Sequence, residues 1–141
     1  MPVFAGLSEE ALESLTQHVR FLDYSPGNVV ISEGTLGDTL YILAEGSVDV
    51  VKHLDEPAQK VLATLNKGEI FGEMCIIESV ARSASVRAVE DPTVLVALHR
   101  SDLHRLFKTS PEQLSLLILN ISRDLCRRLR TVDELYAARG D

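Results

Sequence analysis

Residues 40–51 read Leu40-Tyr41-Ile42-Leu43-Ala44-Glu45-Gly46-Ser47-Val48-Asp49-Val50-Val51, two short apolar runs joined by Glu45-Gly46. Runs rich in β-branched and aromatic residues suit a pleated surface, and a glycine between them supplies the backbone freedom of a tight turn. The same grammar extends outward in both directions. Val29-Val30-Ile31 precedes the pair, and Val61-Leu62-Ala63-Thr64-Leu65, Ser85-Val86-Arg87-Ala88-Val89 and Val94-Leu95-Val96-Ala97-Leu98 follow it. Between these runs fall Pro26-Gly27-Asn28, Gly34, Gly37-Asp38, Asp55-Glu56-Pro57, Lys67-Gly68 and Asp91-Pro92. Strands this short, with turns this regular, predict an antiparallel barrel or jelly roll over about 20–99, mainly β, rather than parallel crossover units.

Helical patterns flank the barrel. Ser8 before Glu9 and Glu10 offers a capping hydroxyl and acids against the positive end of a helix dipole, and Ala11, Leu12, Leu15 and Val19 continue a stripe, which predicts a short N-terminal helix. Asp102 to Lys108 reads as a second short helix. Ser110-Pro111-Glu112-Gln113 combines a capping box with proline at the first helical position and opens a long C-terminal helix to about Ala138. Its expected apolar stripe is Leu114, Ile118, Ile121, Leu125, Leu129, Val132 and Tyr136. No repeat, low-complexity segment or linker interrupts the chain, so residues 1–141 are expected to form one domain, with the C-terminal helices over about 101–138.

Composition narrows the function classes. The chain has 141 residues, 45% hydrophobic and 25% charged, enough apolar mass for a core without disulfide staples. Cys75 and Cys126 stand far apart with no CxxC spacing and are expected to be free thiols in a reducing compartment. The N-terminus lacks a basic n-region, and no apolar stretch, Leu116 to Leu119 among them, is long enough to span a bilayer, so the chain is read as cytoplasmic. The net charge is −7, and residues 1–81 hold 4 basic against 13 acidic residues, a balance that opposes a broad nucleic-acid surface.

The chemistry concentrates in residues 69–88. Gly72 and Glu73 open a short apolar segment, Met74-Cys75-Ile76-Ile77, and nine residues after the acid come Arg82-Ser83-Ala84 at the entry to a strand. Helix-terminal N–H groups, a guanidinium fork and a serine hydroxyl together make a cradle for a phosphate monoanion. Glu73 cannot bind phosphate, but it can accept hydrogen bonds from a sugar hydroxyl.

Phe71-Gly72-Glu73-Met74 with Arg82-Ser83-Ala84 resembles the phosphate-binding cassette of cyclic nucleotide-binding domains, the family of catabolite activator-type regulators, protein kinase A regulatory subunits and cyclic nucleotide-gated channels. The turn and strand pattern upstream, from Gly27 through Val50, is similar to that family as well, so the resemblance covers nearly the whole chain. It implies an eight-stranded antiparallel jelly-roll β-barrel with flanking helices, a cassette helix and a non-catalytic site for a 3′,5′-cyclic nucleotide. In that site Arg82 would pair with the cyclic phosphate and Ser83 would bond the phosphate or the base. The backbone N–H groups of Cys75 and Ala84 would close the cradle. Glu73 would accept the ribose 2′-OH, and Gly72 would allow close approach. Val61, Ile70, Phe71 and Met74 would wall the sugar and base, and Arg127, Arg128 or Leu129 of the long helix would form a lid. The ligand would be cAMP or cGMP, with Ser83 favouring cAMP.

Other readings are carried alongside. His18, His53, His99 and His104 show no metal-ligand spacing, and no G-x-S-x-G elbow is present, so neither a metal-binding jelly roll nor an enzyme is expected. Arg123, Arg127, Arg128 and Arg130 also read as an ordinary solvated helix face. The rival classes are a structural or interaction domain with degenerate ligand binding, and the sensory portion of a longer regulator or channel. No helix-turn-helix follows the long helix in these residues, so direct DNA binding is not expected. The long apolar stripe predicts either a homodimer or effector contact, or a ligand-gated lid.

Overall fold

The structure is a computed structural model that describes residues 2–17, 19–74, 78 and 80–138, with the side chains of Pro2, Val132 and Tyr136 outside that description. Among the described residues, a 3-10 turn at Pro2–Phe4 and helix α1, Glu9–Thr16, lead into eight strands. These are β1 Arg20–Tyr24, β2 Val29–Ile31, β3 Thr39–Glu45, β4 Ser47–Lys52, β5 Lys60–Asn66, β6 Ile70–Phe71, β7 Ser85–Ala88 and β8 Thr93–His99. Helices α2, Arg100–Thr109, and α3, Pro111–Ala138, close the chain. The strands form two antiparallel four-stranded sheets, ordered β1-β8-β3-β6 and β2-β7-β4-β5, an open jelly-roll sandwich rather than a closed barrel.

The central strands of the first sheet, β3 and β8, are buried on both faces, which is why Leu40–Leu43 and Val94–Leu98 read as unbroken apolar runs. Successive strand residues point to opposite faces. Leu40, Ile42, Ile70, Val96 and Leu98 therefore meet the helices, packing with Leu15, Leu106, Leu117 and Ile121. Leu43, Phe71 and Leu95 turn the other way and pack between the sheets with Ile31, Val48, Leu65 and Val86. Burying each such aliphatic side chain contributes about 1.5–3 kcal/mol.

Strands β1 and β6 were not among the runs that the sequence singles out. In β1 only Leu22 and Tyr24 are even partly buried while Phe21 is exposed, and β6 has two residues, so neither carries a full period.

Ser8 caps α1 as expected, its hydroxyl accepting from Ala11 N at 3.1 Å. The start of α3 departs from the expected capping box: Gln113 Oε1 accepts from Ser8 N at 2.8 Å and so ties α3 to α1. The buried side of α3 keeps Leu114, Ile121 and Leu125 of the expected stripe and adds Leu117. Leu117 and Ile121 are fully covered, whereas Ile118 is 38% and Leu129 62% exposed. Asn120 fixes α3 to the N-terminal turn, donating from its buried amide to Val3 O at 3.0 Å and Ala5 O at 2.9 Å. At about 1.5 Å per residue, the 28 residues of α3 span about 42 Å, and Leu129 and Leu135 on its far half stay exposed.

Candidate functional site

Between the sheets, next to the inter-sheet core, opens a cavity of about 240 Å³. Its apolar floor is formed by Ile31, Val50, Leu65, Phe71 and Val86, and Tyr41 stacks on Phe71 with ring centroids 5.2 Å apart. The volume lies just under the roughly 300–1,000 Å³ of common small-molecule pockets, which suits one small ligand rather than a peptide.

Gly72, with φ +76°, turns the chain out of β6 so that Glu73 and Met74 face this cavity. A side chain at that φ would be strained, and a Cβ there would lie 2.9 Å from Arg82 Nη1 and 3.0 Å from Thr39 O. Opposite, the segment before β7 brings Arg82, Ser83 and Ala84 to the same cavity. Arg82 is fixed by main chain on both ends: its N donates to Thr35 O at 2.8 Å, and its carbonyl accepts from Gly34 N at 2.8 Å. Its guanidinium donates through Nη1 to Gly72 O and through Nη2 to Thr39 O, both at 3.0 Å. Both acceptors are neutral main-chain carbonyls, so these hydrogen bonds orient the guanidinium without a carboxylate.

Glu73 is 7% exposed. Burial raises the pKa of its carboxyl group above the ordinary value, and a hydrogen bond from its own backbone and the nearby Arg128 charge partly offset that rise. Arg128 projects from α3, with Nη1 3.4 Å from Glu73 Oε1 and Nη2 donating to Ile70 O. Asp124, one turn earlier on α3, steadies the same guanidinium with Oδ2 2.8 Å from Nη2. At the opposite rim Lys52 donates to Ser83 O at 2.7 Å and pairs with Glu33 at 3.0 Å. Glu33 also accepts from His53 N at 3.0 Å. That backbone hydrogen bond and the Lys52 contact hold the Glu33 carboxyl below the ordinary value.

Of the residues singled out in the sequence, Phe71, Gly72, Glu73, Met74, Arg82, Ser83, Ala84 and Arg128 all line the one cavity. Others do not. Ile70 is 1% exposed and packs in the helix-side core, as strand alternation requires of the neighbour of Phe71. Val61 is 45% exposed and lies beyond the register break between Val50 and Val51, leaving Ala63 and Leu65 as the part of β5 at the cavity. Arg127 turns to Asp124 at 3.5 Å and Leu129 to solvent, so only Arg128 of the three expected lid residues reaches over the site. Cys75, Ile76 and Ile77, and with them most of the expected cassette helix, lie outside the described residues, although Glu78 N does donate to Met74 O at 2.9 Å. Ile31, Val50, Ala63, Leu65 and Val86 were missed as walls. Reading Ile70–Phe71 as a strand would have excluded Ile70, and the alternation of β7 would have pointed to Val86. Among the described residues no three His, Cys, Asp or Glu side chains gather as a metal site, and no helix is long and apolar enough to cross a membrane.

A two-sheet jelly roll holding a glycine, an acid and an arginine-serine pair around one small cavity defines a class, and comparison with known proteins agrees. Residues 21–110 match the cyclic nucleotide-binding domain, and the chain belongs to that family. It is similar to the cyclic AMP receptor protein of Thermus thermophilus, with 36% identity over 94% of this chain and 59% of the relative. The cGMP-dependent protein kinase isozyme 1 of Drosophila melanogaster is 31% identical over 75% of this chain and 14% of its own length. Among solved structures, a cyclic nucleotide-binding domain from Methylobacillus flagellatus superposes with a TM-score of 0.86 at 25% identity, covering 98% of this chain and 77% of the other. The chain thus spans about three fifths of the first curated relative and a small part of the second.

Proposed function

We propose that this chain is a non-catalytic cytoplasmic sensor domain that binds one 3′,5′-cyclic mononucleotide, cAMP in preference to cGMP, and transmits occupancy through the cassette segment and α3. The observation that carries the reading is that Arg82 and Glu73 open on one cavity from separate elements, with Arg128 of α3 already resting on Glu73. Arg82 receives the cyclic phosphate, helped by the hydroxyl of Ser83. Glu73 accepts the ribose 2′-OH, and the purine lies over the apolar floor. A sugar hydroxyl arriving at Glu73 shares the carboxylate with Arg128, which links occupancy to the position of the helix. The preference for cAMP draws on Ser83 beside Arg82 and on the cyclic AMP receptor protein as the relative matched over 94% of the chain.

The output surface is the exposed far half of α3, where Leu129 and Leu135 offer apolar area to a second copy or to an effector. Light scattering with and without ligand distinguishes the two: a homodimer doubles the mass of the chain alone, and an effector surface leaves it monomeric. The ligand assignment is tested by calorimetric titration with cAMP, cGMP and 5′-AMP. The expected order is cAMP tighter than cGMP, with 5′-AMP much weaker. Equal binding of 5′-AMP, or heat from none of the three, favours the rival reading of an interaction domain with degenerate ligand binding.

A further inference from the structure

We propose that Gly37 is a positioning residue for phosphate recognition, its missing side chain being what lets the Arg82 guanidinium lie in the cavity wall. The inference rests on the cyclic nucleotide reading of the cavity above. A Cβ built on Gly37 would fall 2.4 Å from Arg82 Nη2, 2.7 Å from Nε and 2.8 Å from Cζ. All three atoms belong to the guanidinium that donates to Thr39 O and Gly72 O.

The backbone does not ask for glycine at this position. Gly37 is not among the glycines with positive φ, so an L-residue could adopt its conformation. Gly27 is the opposite case, with φ +88° and nothing within 4 Å of its would-be Cβ. One glycine serves a turn and the other makes room for a cation. Arg82 also stands between the nucleotide cavity and a second, open depression of about 260 Å³ lined by Thr35, Leu36 and Gly37 of the β2–β3 segment. A methyl group on Gly37 therefore presses the guanidinium from behind, and the first atom it meets is Nη2, the donor to Thr39 O. Because the crowded atoms are the far end of a flexible side chain, the fold survives the change while the alignment of the donors does not.

The test compares Gly37→Ala with Gly27→Ala, each with Arg82 and with Arg82→Ala, by thermal melting and by calorimetry with cAMP. Gly37→Ala is expected to weaken cAMP binding by about tenfold or more, the loss of well-aligned charge-assisted hydrogen bonds. The same loss should appear with 2′-deoxy-cAMP, since the sugar end is untouched. Gly27→Ala should lower the melting temperature in both backgrounds and keep affinity within about twofold. In melting, Gly37→Ala should be destabilising with Arg82 present and neutral or stabilising in Arg82→Ala, where the alanine only restricts the unfolded chain. Wild-type affinity in Gly37→Ala, or an equal drop in melting temperature in both backgrounds, overturns the proposal. If the wild type binds no cyclic nucleotide, the ligand reading fails and phosphate recognition falls with it; the melting cycle still decides whether Gly37 makes room for Arg82.

Discussion

At one end of the cavity the charge belongs to Arg82, whose guanidinium donates to the main-chain carbonyls of Thr39 and Gly72 on the sheet framework. At the other end it belongs to Glu73, a buried carboxylate whose charged neighbour, Arg128, stands on a helix. The first end is fixed by strands and neighbouring backbone. The second is shared between the sandwich and an element anchored by few contacts at this point, the Arg128 contacts to Glu73 and Ile70 O. An anion held by the first end is recognised without moving anything large, whereas a group arriving at the second must come to terms with α3. On the proposed reading, affinity and signal would thus have separate physical seats.

The largest effect should come from the fixed end. Arg82→Ala is expected to weaken cAMP binding by about 3–5 kcal/mol, the cost of a buried anion without its partner, or roughly 100- to 5,000-fold in Kd. Arg82→Lys should bind poorly too, since an ammonium cannot reach phosphate and both carbonyls in a planar fork. Binding of Arg82→Ala within about threefold of wild type in a calorimetric titration would break the comparison at its stronger side.

The shared end should show a smaller loss with an added signature. Glu73→Gln is expected to cost about 1–3 kcal/mol of binding, and 2′-deoxy-cAMP should lose a similar amount against the wild type. The two losses should overlap in a double-mutant cycle because they remove one contact. Additive losses would move Glu73 away from the sugar. Arg128→Ala should act mainly on dissociation, speeding it by about two- to fivefold, the scale of a partly exposed ion pair. Stopped-flow release of a fluorescent cAMP analogue reads that rate, and an unchanged rate would leave Arg128 a packing residue.

The mildest prediction concerns pH and separates the rim from the floor. Glu33 has a folded pKa below the ordinary 4.5, so its contribution is present above that value and is lost as pH falls through the folded pKa. Glu73 has a folded pKa above 4.5, so ionising it opposes folding. Its penalty is full at high pH and is relieved as pH falls through the folded pKa towards 4.5. Glu33→Gln should therefore lower the melting temperature at neutral pH, with the difference shrinking at acid pH below 4.5. For Glu73→Gln, the change relative to wild type should drift in favour of the variant as pH rises from 4.5 to neutrality. Parallel pH profiles for the two variants would show that the burial of Glu73 has no consequence for stability.

The two ends also differ in how openly the sequence announces them. The fixed end is nearly contiguous: Gly72, Arg82, Ser83 and Ala84 fall within thirteen positions, and local turn and strand chemistry brings them together. The fold was legible for a related reason, since the runs in β3, β4 and β8 are long enough to show their period. Strands β1 and β6 were not, one an exposed edge and the other two residues long. The shared end depends on how α3 packs, with Leu117 and Asn120 both buried. The hydrogen bonds from Asn120 to Val3 and Ala5, more than a hundred residues away in the chain, leave no periodic signal. The expected stripe holds at Leu114, Ile121 and Leu125 but not at Ile118 and Leu129, and the choice among Arg127, Arg128 and Leu129 required the packed helix. Gly37 was visible as a turn residue, but the guanidinium behind it was not.

The central claim, that the sugar end carries the signal into α3 while the phosphate end stays fixed, is tested most directly by amide hydrogen exchange with and without saturating cAMP. The account predicts a change in protection along residues 125–138 of α3 in the wild type, much reduced in Arg128→Ala at full occupancy, with strand β3 little altered in either. Equal protection of α3 with and without bound cAMP, or the same change in Arg128→Ala as in the wild type, would contradict it.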